Sequence, residues 1–75
     1  MYYVHISGYK ANTWPFIPLM QLLFKYTKIS FADARKITDD IYAGETAEVT
    51  FPDANTAREF SEKATEAGLN CTVWQ

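Results

Sequence analysis

The residue types that most often carry out catalysis or bind metal ions are sparse in this chain. His5 is the only histidine and Cys71 the only cysteine, so the spacing supports neither a histidine pair for a metal ion nor a cysteine–histidine nucleophile. Asp39 and Asp40 are adjacent, and adjacent side chains on a helix point about 100° apart, which disfavours a shared acid–base or metal role. The sequence contains no glycine-rich phosphate loop. We therefore expect no enzyme activity, no catalytic residue, no cofactor and no metal ion.

Length and composition predict one small globular domain over residues 1–75. The 8.6 kDa chain is 48% hydrophobic and 16% aromatic with a net charge of −2, which excludes disorder and a multidomain enzyme. An unpaired Cys71 favours a reducing compartment. The start of the chain has neither a basic segment nor a long apolar run, and the apolar stretch 14–24 is interrupted by Pro18 and Gln21. We expect a cytoplasmic protein that does not span a membrane.

Charge is distributed unequally between the two halves of the sequence. Residues 1–37 contain five basic and one acidic residue, a net charge of +4, whereas residues 38–75 contain two basic and eight acidic residues, a net charge of −6. Such a dipolar surface suits an oriented protein partner better than a polyanion, and a solvated charged face is the ordinary alternative. With a pI of about 5.2, the chain is not expected to bind nucleic acid.

Hydrophobic periodicity predicts six secondary-structure elements. They are a strand over 2–7 ended by Gly8, a helix from a cap at Thr13 to about Tyr26, a helix from Ser30 to Gly44, a strand over 46–51, a helix from Asp53 to Gly68, and a strand over 69–74. The order βααβαβ predicts an α+β fold, a two-layer split β-α-β sandwich. Its three-stranded antiparallel sheet should have the first strand in the middle and the helices on one face.

Several segments resemble known families. Residues 31–37 (FADARKI), 64–68 (ATEAG) and 71–73 (CTV) resemble the C-terminal domain of the bacterial ribosomal stalk protein, with its "LKEAKxLV" helix and "LxxAGAxVxV" ending. Residues 13–16 (TWPF), followed by Phe24, Ala34, Ile37, Gly44 and Cys71, follow the spacing of the ClpS adaptors, which deliver substrates to a AAA+ protease. Both resemblances cover nearly the whole chain and imply the same fold.

The functional residues of these two families are replaced here. Two basic positions with which the stalk domain recruits translational GTPases fall on Gln21 and Phe24. The Asn-Asp-Asp run and the histidine that hold a substrate's α-amino group in ClpS fall on 7–10 (SGYK) and on Tyr42. The resemblance therefore implies the fold without recognition of a free N-terminus.

The first predicted helix is the main candidate for a contact surface. Its apolar residues cover an arc of roughly 220°, whereas a surface helix needs little more than about 100° to face its core. The surplus must be covered by the second helix, by the loop carrying Trp14, or by another molecule. The residues predicted to contact a partner are Trp14, Phe16, Leu19, Leu22 and Tyr26, surrounded by Lys25, Lys28, Arg35 and Lys36.

The outer face of the sheet is a second candidate surface. Alternation places Tyr3, His5 and Trp74 there, where aromatic residues can form a protein contact or simply pair across strands. The neighbouring Thr46 and Glu48 are not basic, which disfavours nucleic acid. Cys71 should face inward as a small core residue.

The function that these patterns favour is a non-catalytic protein-interaction module of the adaptor or inhibitor type. One alternative is an RNA- or ribosome-associated factor that uses the basic residues of the helical pair. Another is a structural homo-oligomer, and a weak homodimer is compatible with either surface. The identity of the protein partner does not follow from the sequence.

Overall fold

The six elements occur in the predicted order in a computed structural model that describes residues 2–74. They are β1 (Tyr2–Tyr9), α1 (Phe16–Tyr26), α2 (Phe31–Tyr42), β2 (Ala47–Phe51), α3 (Ala54–Ala67) and β3 (Leu69–Trp74). The strand order is β2-β1-β3 and β1 is antiparallel to both neighbours, so β2 and β3 run parallel to each other. The predicted α+β sandwich with a central first strand is confirmed.

One face of the sheet forms the floor of the core. Val4 and Ile6 of β1 are buried, together with Phe51 of β2 and Leu69 of β3. Both α2 and α3 pack on this face, and α1 packs against α2 and α3. Each helix contributes buried apolar side chains to the core, namely Leu19, Leu23, Ala34, Ile41, Ala57, Phe60 and Ala64. The alanines let α3 lie close to the sheet, as its narrow apolar stripe predicts.

The ends of α2 and α3 agree with the predicted capping residues. The Ser30 hydroxyl accepts a hydrogen bond from the Asp33 backbone N–H (3.2 Å), and the Asp53 carboxylate accepts one from the Thr56 N–H (2.7 Å). Gly68 ends α3 with φ +110°, a left-handed conformation that glycine adopts without a Cβ clash.

The predicted start of α1 is wrong. The Thr13 hydroxyl does not cap the helix but donates to the Lys10 carbonyl (2.6 Å), closing a turn in the preceding loop. Pro15 occupies the N-cap position, with no side-chain hydrogen bond there. Proline fits because the missing N–H would have had no partner at a helix start.

The predicted end of the first strand is also wrong. Gly8 does not end β1, which continues to Tyr9. In the pairing with β3, Ile6 lies opposite Cys71 and Gly8 opposite Asn70, so Ser7 is an extra residue in the ladder. Gly8, with φ +143°, accommodates this bulge. At the other end of the pair, Val73 lies opposite the buried Val4 and so on the helix side of the sheet, but it is 40% exposed because β3 is an edge strand.

Stability should depend on the ionisation of the α3 cap. Hydrogen bonds from the Thr56 N–H and hydroxyl lower the pKa of Asp53 below its ordinary value of 3.8. A depressed folded-state pKa means that this contribution is complete above the unfolded pKa and is lost as pH falls through the folded pKa. We expect the difference in unfolding free energy between wild type and Asp53→Asn, measured by urea denaturation, to shrink from pH 6 to pH 2. Asparagine keeps a capping oxygen without titrating. A pH-independent difference would contradict this role.

Candidate protein-interaction surface

Three aromatic side chains converge where α1 begins and α2 ends. We call Trp14, Phe16 and Tyr42 the aromatic cluster. Their ring centroids are 4.7 Å (Trp14–Phe16), 5.3 Å (Trp14–Tyr42) and 5.4 Å (Phe16–Tyr42) apart, and every pair is edge-to-face. Trp14 and Tyr42 are nevertheless 63% and 58% exposed. The cluster is thus held by favourable ring geometry while presenting much of its surface to solvent.

Two backbone features position the cluster from below. The bulge at Ser7 turns Tyr9 to the side of Leu69 and the helices, where its ring meets Phe16 edge-to-face at 5.1 Å. The turn from Lys10 to Thr13 then carries the chain to Trp14, and the Lys10 N–H donates to the Gly68 carbonyl (2.7 Å). The loop bearing Trp14 is therefore tied to the end of α3.

A surface cavity of about 290 Å³ adjoins the aromatic cluster. It is lined by the cluster together with Thr38 and Asp39 of α2. The Thr38 hydroxyl donates to the Arg35 carbonyl (2.8 Å). The Asp39 carboxylate lies 3.8 Å from the Arg35 guanidinium, and both side chains are largely exposed. One wall of the cavity is therefore aromatic and another carries a solvent-accessible carboxylate.

The predicted contact residues of α1 fall into two groups. Trp14 and Phe16 belong to the aromatic cluster, in which Trp14 is exposed and Phe16 is half-buried. Leu19 is completely buried and is a core residue rather than a contact residue, because its position on α1 faces the other helices. Leu22 and Tyr26 are half-buried and pack against the core, with the Tyr26 ring edge-to-face on Phe60 at 6.1 Å.

The predicted basic residues do not surround the aromatic cluster. Lys25 lies near the other end of α1, with its ammonium 5.3 Å from the centre of the Tyr26 ring. Lys28 lies in the link between α1 and α2, and Lys36 on an exposed position of α2. Of these four residues, Arg35 is the one near the cavity, because its guanidinium lies 3.8 Å from the carboxylate of Asp39.

A second exposed aromatic pair lies at the far end of the two helices. Phe24 and Phe31 stack with centroids 6.3 Å apart and planes within 10°. Phe31, the first residue of α2, is 63% exposed. Eight residues separate Phe16 from Phe24, so the pair lies about 12 Å along α1 from the aromatic cluster. The apolar excess of α1 is thus only partly covered by α2.

The outer face of the sheet carries the predicted Tyr3, His5 and Trp74. Tyr3 lies opposite Trp74 across the β1–β3 pair, and His5 meets Trp74 edge-to-face at 6.2 Å. Tyr3 and His5 are half-buried by these contacts, while Trp74 remains 54% exposed. Packing across the strands explains the partial burial of Tyr3 and His5. Trp74 remains an exposed apolar side chain on an edge strand.

We expect weak self-association through this edge. β3 has an unpaired side that could extend the sheet of a second copy, and the exposed Val73 and Trp74 would be covered by doing so. Sedimentation equilibrium should therefore give an average mass that rises with concentration across about 10–500 μM. Trp74→Lys should remain at 8.6 kDa. A wild-type protein that stays at this mass throughout would contradict the prediction.

The remaining candidate groups do not assemble into a reactive site. Cys71 is half-buried in β3, and burial raises the pKa of its thiol to about 11, so it is held in the unreactive protonated form. Within residues 2–74, no three His, Cys, Asp or Glu side chains are grouped to hold a metal ion. None of the helices within residues 2–74 has the length and apolar character needed to cross a membrane.

Tyr9 and Tyr42 are the site residues that the sequence reasoning missed. Tyr9 has an odd number in β1, so simple alternation assigns it to the outer face with Tyr3 and His5. The signal for the reversal was Gly8, a residue that often marks a bulge within a strand. Tyr42 is the last residue of α2. No local sequence pattern distinguishes it as a contact residue, because its role depends on the tertiary contact with Trp14.

Compared with protein-family models, with curated proteins and with solved structures, the chain matches none of them.

Proposed function

We propose that this protein is a non-catalytic protein-interaction module that binds a partner through the aromatic cluster and its adjoining cavity. The observation that carries this proposal is the exposure of Trp14 and Tyr42 at the mouth of a cavity of about 290 Å³. Tryptophan and tyrosine are enriched at the centres of protein interfaces, where they supply large contact areas at a small entropic cost. Exposed aromatic side chains grouped on a small monomer mark such a surface.

An adaptor role fits the other features of the chain. The fold-level resemblance to the ClpS adaptors agrees with this role. The chain also has few side chains of the types that carry out catalysis, which favours a binding function over an enzymatic one. Binding of RNA would need cations grouped along one surface. Lys25 and Lys28 lie far along the helical pair and Arg35 approaches Asp39, which favours a protein partner over RNA. A single cysteine, Cys71, with no second cysteine to form a disulfide within the chain, is compatible with a reducing compartment such as the cytoplasm.

Selection from a displayed library of random dodecapeptides against the intact chain tests the proposal. We expect the enriched peptides to lose binding to Trp14→Ala and Tyr42→Ala and to keep binding to Trp74→Ala. Trp74 is the matched control because it is an exposed tryptophan on the opposite face of the sheet. Peptides that bind all variants equally, or no enrichment at all, would rule out the aromatic cluster as the binding surface.

Peptides with a free N-terminal Phe or Leu should not bind to the cavity as ClpS substrates do. Tyr42 and the segment 7–10 (SGYK) replace the polar groups that hold an α-amino group in that family, and the phenol of tyrosine is a poorer acceptor than the replaced groups. Fluorescence anisotropy of labelled peptides should show no saturation at millimolar concentrations. Micromolar affinity that disappears on N-acetylation would contradict this prediction.

A further inference from the structure

Acidic residues are concentrated at the end of α2 that borders the cavity. Asp39 lines the cavity and Asp40 follows it in the last turn of α2, which contains no basic residue. Glu45 comes shortly after the helix ends. The C-terminal end of a helix already carries the negative end of its dipole, so carboxylates in the last turn are unfavourably placed. A bound cation would relieve this repulsion.

The aromatic walls of the cavity provide a second attraction for a cation. The faces of tryptophan and tyrosine rings attract ammonium and guanidinium groups. Among residues 2–74, the one cation that lies over an aromatic ring is Lys25, over Tyr26. The rings of Trp14 and Tyr42 are therefore not engaged by a cation of the described chain, while an exposed carboxylate stands beside them.

Resting on the proposed function, we infer that the cavity binds a cationic side chain of the partner, an arginine in preference to an apolar residue. A guanidinium can stack on Trp14 or Tyr42 and at the same time donate hydrogen bonds to the Asp39 carboxylate. The cavity volume of about 290 Å³ lies at the lower end of the range for small-ligand sites, which suits one long side chain. The partner segment is thus basic at its anchor residue.

Arg35 is an intramolecular competitor for the same carboxylate. Its guanidinium is 3.8 Å from Asp39, and the pair is largely exposed, so the ion pair is weak and readily exchanged. Removing the positive charge of Arg35 should therefore strengthen arginine binding, whereas removing the negative charge of Asp39 should weaken it. In a purely apolar cavity, the two substitutions would not change the binding affinity in opposite directions.

The test uses the indole N–H resonances of the two tryptophans in the ¹H–¹⁵N NMR spectrum of the intact chain. Trp14→Phe assigns the Trp14 resonance, and Trp74 on the outer sheet face is the internal control. The probes are N-acetyl-arginine amide, its neutral analogue N-acetyl-citrulline amide, N-acetyl-leucine amide, and leucine amide with a free α-amino group. The last probe separates a side-chain cation from an N-terminal one.

We expect N-acetyl-arginine amide to shift the Trp14 resonance saturably in the millimolar range and to leave Trp74 unchanged. Asp39→Asn should weaken this binding about two- to fivefold and Arg35→Gln should strengthen it by a similar factor, with added salt weakening binding to wild type. Citrulline or leucine derivatives that bind as tightly, or no response to arginine, would overturn the inference. A Trp14 response to the N-acetyl-leucine probe alone would overturn it and leave the proposed function standing. Failure of all probes together with failure of the peptide selection would remove both.

Discussion

Truncating Phe60 to alanine is expected to lower the free energy of unfolding by about 3–5 kcal/mol. Phe60 is completely buried between the sheet and α1, with its ring 5.1 Å from Phe51 and 6.1 Å from Tyr26. Its removal leaves a cavity at the junction of three elements, which the surrounding alanines of α3 cannot fill. Urea denaturation followed by far-UV circular dichroism measures the loss.

Phe31→Ala is the matched control for Phe60→Ala. The same side chain is removed from a helix, but Phe31 is largely exposed and touches Phe24 rather than the core. We expect a loss below about 1 kcal/mol. Similar losses at both positions would mean that the packing of α3 on the sheet does not depend on Phe60.

Replacing Gly68 with alanine should destabilise the protein by about 2–5 kcal/mol, the sum of two effects. The φ angle of +110° is unfavourable for a residue with a Cβ atom, and that atom would lie 2.8 Å from the Thr13 hydroxyl oxygen and 2.9 Å from its Cβ. Thr13 precedes Trp14, so relief of this clash would also displace the aromatic cluster. Thermal unfolding and the Trp14 fluorescence spectrum should both change.

Two variants separate the contributions at Gly68. Gly44 also has a positive φ, +89°, but a Cβ there meets no atom within 4 Å, so Gly44→Ala should lose only about 1–2 kcal/mol. In a Thr13→Gly background, the effect of Gly68→Ala should fall to a similar value. An undiminished effect in that background would show that the contact with Thr13 is not responsible.

The fold was predictable because local and long-range signals agree along most of the chain. Ser30 and Asp53 mark helix starts by their own side-chain hydrogen bonds, and the alternation around Val4 and Ile6 marks the strand that becomes central. The start of α1 was predicted wrongly because Thr13 satisfies the general preference for an N-cap. In the folded chain, however, its hydroxyl is used by the Lys10 carbonyl.

The candidate site was predicted only in part because contact surfaces depend on which elements meet. Trp14 and Phe16 could be named from the apolar excess of α1. Leu19 could not be distinguished from these two residues by the sequence. Periodicity shows that α1 has more apolar residues than one buried face needs, but it does not show which of them a neighbouring helix covers. Tyr42 enters through the antiparallel packing of α2 on α1, a contact between residues far apart in the sequence.

The extra residue at Ser7 makes the aromatic cluster depend on a bulge in β1 as well as on its own side chains. Up to Ile6, even-numbered positions face the helices; beyond the bulge the parity reverses and Tyr9 takes that side. Deletion of Ser7 would remove the bulge but keep Tyr9 on the helix side, because Gly8 alone would then occupy the outward position between Ile6 and Tyr9. Loss of the bulge at unchanged length, which a residue with a Cβ atom at Gly8 (φ +143°) would favour, instead restores strict alternation and turns Tyr9 towards solvent. Phe16 would then lose its edge-to-face contact with the Tyr9 ring. The aromatic cluster therefore rests on the backbone conformation of a glycine that contributes no side chain to it.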